Sequence, residues 1–282
     1  MEIRRSSSRW MVAATAVFVS LTSGCGALER FEEGGATVFV FTTHHATPVN
    51  GVFPGKGDDE MPRVYDTVDG WTVTMLEGYV TISAATLISC GGSETDLTMF
   101  WGPCPEDLKS EDLASLTVAG KKVGEGDYCT LRLTYAPYQT PVIDDSVDPD
   151  ESRHETPANE SVNGATIYLR GGAQLGAGDF TQFELTNSQT IVVELDLSNL
   201  EGEGRPLHVD HREDFPPELL VSKAYDRFFD GIDFTNFDAG AATSQIARVL
   251  EEQTRVSLGS YVMTDGPPMA DSGSDSSSGG GG

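Results

Sequence analysis

The sequence predicts a mainly β fold, an antiparallel β-sandwich with long loops and one or two short C-terminal helices. Apolar and polar residues alternate at period two through much of the chain, the pattern of half-buried strands. Gly, Pro and Asp clusters separate these runs, as short strands joined by turns require. Apolar residues at three- and four-residue spacing occur in two late stretches, where helices are expected. The 282 residues are 38% hydrophobic and include 31 glycines. Together these reach the ordinary globular range, so the bulk of the chain can bury a core.

Taken in order, Val38 to Thr43 is a β-branched and aromatic run. Trp71 to Met75 alternates, and Gly78 to Cys90 continues as one long strand or a pair of strands. Tyr128 to Tyr135 sets Cys129, Leu131, Leu133 and Tyr135 on one face and Thr130, Arg132 and Thr134 on the other. Ala165 to Arg170 and Thr190 to Leu197 repeat the idea, the latter aligning Ile191, Val193, Leu195 and Leu197. After Pro216 and Pro217, Glu218 to Phe229 places Leu220, Ala224, Tyr225, Phe228 and Phe229 at helical spacing, so a helix is expected there. Ala241 to Gln253, with Ile246, Val249 and Leu250, is the second expected helix. Between the middle strands, Asp144 to Gly164 is a long polar interruption rich in Asp and Glu, with the single Arg153. A loop of that length is either functional or disordered.

The N-terminus places Arg4, Arg5 and Arg9 before the apolar run Trp10 to Leu21. A basic head, about a dozen apolar residues and then small residues form an export signal, too short for a comfortable membrane span. Ser23-Gly24-Cys25 resembles the processing site of bacterial lipoproteins, although Thr22 stands where that family carries leucine, with Leu21 one step further out. The resemblance implies cleavage after residue 24, acylation of Cys25 and, since Gly26 rather than Asp follows, an outer-membrane destination. Several acyl chains on one residue anchor stably, each buried methylene adding about 0.8 kcal/mol. The expected organisation is a lipoprotein signal peptide at 1–24, a lipidated tether at 25–35, a single β-sandwich-like domain at 36–262 and a disordered tail at 263–282. From Asp271 onward that tail is only Asp, Ser and Gly, which bury nothing.

Lys and Arg number 18 against 44 Asp and Glu, a net charge of −26. Nucleic acid is excluded as a partner on this ground, because affinity for a polyphosphate comes largely from clustered cations. The membrane is instead a partner through the lipid.

Cys90, Cys104 and Cys129 remain once Cys25 carries lipid. In an oxidising compartment a disulfide is the default for two of them. Cys90 with Cys104, across the turn-rich Trp101-Gly102-Pro103-Cys104-Pro105, is the first pairing, and Cys90 with Cys129, stapling two strands, is its rival.

The five histidines are His44, His45, His154, His208 and His211. His44 and His45 follow the first strand, and Pro48 allows a turn that would bring both onto one ion. His208-Val209-Asp210-His211, with Glu213 and Asp214 nearby, is a mixed imidazole and carboxylate set suited to zinc or copper(II). His44, His45, His208 and His211 are the candidate metal ligands, and solvated loop histidines are the other reading of each pair. Asp148-Pro149-Asp150-Glu151 and the group Asp230, Asp233, Asn236 and Asp238 offer oxygen donors for calcium, but neither fits the EF-hand loop. Gly-x-Ser-x-Gly, His-Glu-x-x-His and a phosphate-cradling glycine loop are all absent, so no enzymatic activity is expected and no catalytic residue is assigned.

Val38-Phe39-Val40-Phe41, the phrase Gly124-Glu125-Gly126-Asp127-Tyr128 leading into Leu131-Arg132-Leu133-Thr134-Tyr135, and the late histidines resemble the MbnP-like periplasmic copper-associated proteins. The resemblance spans about residues 36 to 235 and implies a β-rich binding domain in copper handling. It assigns no ligand here, and the three cysteines of the domain and the tail have no counterpart in it. The expectation is a lipid-anchored binding module of the cell envelope that takes copper or zinc. The alternative is a structural or protein-interaction lipoprotein of the outer membrane, with an envelope protein as partner and no metal.

Overall fold

The computed structural model describes residues 36–47, 62–139, 160–211 and 216–259. The signal segment 1–24, Cys25, the tether to residue 35, residues 144–159 with His154, and the tail 263–282 lie outside the described residues. Fourteen strands are described: β1 (Thr37–His45), β2 (Arg63–Asp66), β3 (Trp71–Ser89), β4 (Glu94–Asp96), β5 (Thr98–Met99), β6 (Cys104–Asp107), β7 (Leu116–Lys122), β8 (Gly126–Tyr135), β9 (Ile167–Leu175), β10 (Phe180–Asn187), β11 (Ile191–Asp196), β12 (Leu207–Val209), β13 (Glu218–Ala224) and β14 (Arg255–Leu258). One α-helix, α1, spans Ala239–Gln253. The mainly β, two-sheet architecture with a short C-terminal helix agrees with the expectation from period.

The smaller sheet has the order β14-β13-β1-β7-β5, and the larger follows β10-β9-β3-β8-β11 with β12 on β8 and with β2, β4 and β6 on β3. The long β3 organises the larger sheet. Val80 pairs with Ile167 of β9 on one edge and Glu106 of β6 on the other, and Ile82 pairs with Tyr135 of β8 and Cys104 of β6. The sequence left Gly78 to Cys90 as one strand or two. It is one, continuous with the alternating run from Trp71.

Residues 218–229 correct the expected helix. Glu218–Ala224 is a strand parallel to β1, followed by a 3-10 turn at Tyr225–Phe229. β13 lies between β14 and β1, and its residues from Leu219 to Lys223 are all buried. A strand covered on both faces loses its alternation, and a short continuous apolar run then reads equally as buried helix. The second expected helix is present: Asp238 caps it by accepting from the Ala241 N–H at 2.7 Å, and Ala242, Ile246, Val249 and Leu250 enter the core.

The disulfide joins Cys90 to Cys129, with Cα atoms 4.8 Å apart, and Cys104 is a buried free thiol among the described residues. This corrects the Cys90–Cys104 pairing. Cys104 lies on β6 rather than in a turn, opposite Ile82, and eight residues of extended chain, about 26 Å, separate Ile82 from Cys90. Ser89, next to Cys90, pairs with Tyr128, next to Cys129.

The two sheets meet over an apolar core crossed by a buried ionic contact. Glu106, from the larger sheet, reaches the smaller sheet where His44 and Lys223 are neighbours in the parallel β1–β13 register. Its Oε1 lies 2.9 Å from His44 Nδ1, and its Oε2 accepts from Lys223 Nζ at 2.5 Å and from Thr42 Oγ1 at 2.8 Å. All four residues are buried. Removing one member of such a pair strands the other charge in the core, at a cost of about 3–5 kcal/mol, while removing both is far milder. Lys223→Met is therefore expected to destabilise the domain by that amount in urea denaturation, and adding Glu106→Met is expected to recover part of it. A double variant no more stable than the single one would contradict the ionic account.

Candidate metal centre

The structure divides the four candidate histidines into two pairs that do not meet. His44 is 2% exposed, with Nδ1 on Glu106 and Nε2 3.3 Å from the Ser110 carbonyl, so both ring nitrogens face protein oxygens. His45 is buried on the opposite face of β1, its Nδ1 3.1 Å from the Ala46 carbonyl. The pair sits in the framework. Beside it, Arg63 donates to the Ser110 carbonyl at 2.6 Å and lies 3.4 Å from Asp112, which accepts from the Tyr225 hydroxyl at 3.3 Å.

His208 and His211 lie at the far end of the domain. Thr37 at the start of β1 pairs with Lys122, three residues before Glu125, whereas His44 is seven residues along β1, about 23 Å away. At that far end β12 pairs with the first residues of β8, setting His208 opposite Asp127 and Val209 opposite Gly126. Leu207 and Val209 enter the core, so the alternate His208 stays exposed beside Asp127.

Here His208 Nδ1 lies 2.7 Å from Asp127 Oδ1. The imidazole pKa is raised, chiefly by that hydrogen bond and further by the charge of Asp127. One step along, His211 Nδ1 lies 3.0 Å from Glu125 Oε2 and 3.4 Å from Asp210 Oδ1. Glu125, Asp210 and His211 each offer a donor atom, and the three atoms lie within 4.8 Å of one another. An ionised carboxylate only accepts, so these two contacts call for the imidazole tautomer that donates from Nδ1.

The donor set is one imidazole nitrogen and two carboxylate oxygens, and His208, on the Asp127 rung two residues before Asp210, stands outside it. That chemistry suits zinc or copper(II). It fits copper(I) poorly, since thiolate and thioether donors are what select that ion. It also falls short of the six to eight oxygens that calcium takes. The acidic group near residue 233 has other work: Asp233 accepts from the N–H groups of Thr235 and Asn236, Asp238 caps α1, and Asp230 pairs with Arg227.

Sequence reasoning named His208 and His211 and noted Asp210, but it assigned no role to Glu125 or Asp127. Both stand in the phrase Gly124-Glu125-Gly126-Asp127-Tyr128, and only the pairing of β12 with β8 brings them to the histidines. Glu106 and Lys223 were missed as well. A lone lysine within the mostly apolar stretch Leu219 to Tyr225 was the available signal for the latter.

No protein-family model and no curated protein matches this chain. Among solved structures it is similar to MbnP from Methylosinus trichosporium, at 10% sequence identity and a TM-score of 0.42, with 79% of this chain and 99% of that chain covered. Among the described residues no helix is long and apolar enough to cross a membrane.

Burial lowers the His45 pKa below its ordinary value of 6.5, outweighing the Ala46 carbonyl and the nearby carboxylates of Asp226 and Asp112. A histidine with a depressed folded pKa takes up its proton more readily when unfolded, so its contribution to stability is lost as pH falls through 6.5. Glu106 adds a second loss at lower pH. Burial opposes its ionisation, but Lys223 and His44 together hold its pKa down to about 2, so its contribution fades as pH falls from 4.5 toward that value. Thermal melts at pH 7.5 and 5.5 are expected to show the wild type losing stability on acidification relative to a His45→Gln variant. A difference between the two proteins that does not change with pH would contradict the burial of a neutral imidazole.

Proposed function

We propose that the chain is a lipid-anchored binding module of the cell envelope that takes up a divalent transition-metal ion, zinc or copper(II), at Glu125, Asp210 and His211. The observation that carries this reading is the convergence of one imidazole and two carboxylate donors at the exposed junction of β8 and β12. Glu125 and Asp210 offset the charge of the ion. His211 supplies nitrogen, a donor that hard cations value less. His208, held by Asp127, lies outside the three converging donors and keeps the neighbouring β12–β8 pairing in place. The bound ion adds positive charge to a strongly acidic domain and so relieves its self-repulsion. No catalytic role is proposed.

The anchor rests on Ser23-Gly24-Cys25. Mass spectrometry of the protein purified from membranes is expected to find a mature chain that begins at an acylated Cys25. An unmodified Cys25 in an uncut chain would remove the anchor.

Calorimetric titration of the mature domain with zinc and with copper(II) tests the metal. Binding is expected to weaken about tenfold or more in a His208→Ala/His211→Ala variant and to persist in a His44→Ala/His45→Ala variant that remains folded. Because the imidazole must shed its proton to ligate, affinity is also expected to fall on acidification from pH 7.5 to 5.5. Unchanged binding by the His208/His211 variant would overturn the site.

A further inference from the structure

The Cys90–Cys129 disulfide stands directly behind the β8–β12 junction. Cys129 is two residues from Asp127 and four from Glu125 along β8 and its approach. On the other side of the bridge, the Cys90 N–H donates to the Asp127 carbonyl at 2.9 Å. The β3–β8 ladder makes its last rung at Ser89 and Tyr128, after a register irregularity between Ile88 and Ser89. Beyond that rung, the Cys90–Asp127 hydrogen bond and the disulfide tie the start of β8 to β3, and the three-residue β12 pairs along its other edge. Cys90 is exposed and Cys129 half-buried, so a reductant reaches the bridge from solvent.

From this placement we infer that the metal site is redox-gated: the intact disulfide preorganises Glu125 and Asp127 against Asp210, His211 and His208, and reduction of the bridge releases the ion. The inference rests on the reading of the β8–β12 junction as the metal site. Reduction breaks the S–S bond and places two electrons and two protons on the sulfurs of Cys90 and Cys129. A dithiol donor supplies them and is itself oxidised to a disulfide. The start of β8 then loses its covalent tie to β3 and keeps only the Cys90–Asp127 hydrogen bond and its pairing with β12, so Glu125 and Asp127 are held less firmly against His211. Holding ligands in place before the ion arrives is the larger part of what a site on a strand end must provide. By linkage the effect is reciprocal, so the bound ion makes the bridge harder to reduce.

Three forms of the mature domain separate the possibilities: oxidised, reduced with a phosphine that is then removed under anaerobic conditions, and Cys90→Ser/Cys129→Ser. Zinc is the probe, and circular dichroism confirms that each form is folded. The reduced wild type serves as the test if the serine variant does not fold. Binding to the reduced and serine forms is expected to be about tenfold weaker than to the oxidised form. Raising free zinc is correspondingly expected to lower the midpoint potential of the bridge by about 30 mV per tenfold ratio of affinities, a shift that a merely stabilising disulfide would not show. Equal zinc affinity in all three forms would overturn the gating and leave the site standing. A reduced form that binds more tightly than the oxidised one, through its new thiols, would also overturn it. Absence of zinc binding to the oxidised form would overturn the site itself and the gating with it.

Discussion

The carboxylate of Glu106 is the constraint around which the domain is arranged. It leaves the larger sheet at β6 and ends between Thr42, His44 and Lys223 of the smaller one. An ion pair this deep loses its hydration, and its Coulombic gain roughly offsets that loss, so it is a poor source of stability in itself. What it offers is discrimination among alternatives. Sliding β13 by one residue against β1 would turn Lys223 to the other face and leave Glu106 without its lysine in the core, whereas an apolar rung would tolerate the slip. The parallel β1–β13 pair is the unusual step in an otherwise antiparallel fold, and it is the step that this contact specifies.

With the sheets held in register, the remaining geometry follows from β3. Its nineteen residues serve β9 and β8 on one edge and β2, β6 and β4 on the other, so the ends of the domain are fixed relative to one strand. Glu106 is placed opposite Val80, near the middle. The disulfide lies just past Ser89, at the strand's end. The β8–β12 junction is therefore built at the margin of a rigid frame, where strands have outrun their neighbours and imidazoles and carboxylates stand exposed. Exposure there has a chemical consequence. A site in the core would hold its ion behind the packing that surrounds Glu106, whereas three donors at a sheet margin leave coordination positions open to solvent or to an incoming ligand.

The fold was legible where one face of a strand meets water. Tyr128 to Tyr135 and Ile191 to Asp196 alternate because β8 and β11 each expose a face, and both were read correctly. Legibility failed where both faces are covered. Leu219 to Lys223 carries no period because β13 is enclosed, and Tyr225, Phe228 and Phe229 continue the apolar run in a 3-10 turn, imitating a helix. Cys90 and Cys104 are near in sequence, but β3 carries them far apart in space. The candidate site was legible in part for the same reason. His208, Asp210 and His211 are local in sequence, whereas Glu125 and Asp127 join them only through the register of β12 on β8. No single-strand pattern encodes a partner strand some eighty residues away.

The two histidine pairs show how one residue type is put to opposite uses by exposure. At His44 and His45 the core surrounds the rings with fixed oxygens. Those contacts turn each imidazole into a structural donor or a neutral filler, and a metal could enter only by displacing hydrogen bonds that hold the sheets. At His208 and His211 the rings are exposed and face carboxylates, so a cation can reach them without displacing core packing. The carboxylates that raise the proton affinity of an imidazole, as Asp127 does for His208, also raise its affinity for a cation. The exposed pair is thus suited to reversible capture, and the buried pair to keeping the frame on which that capture depends.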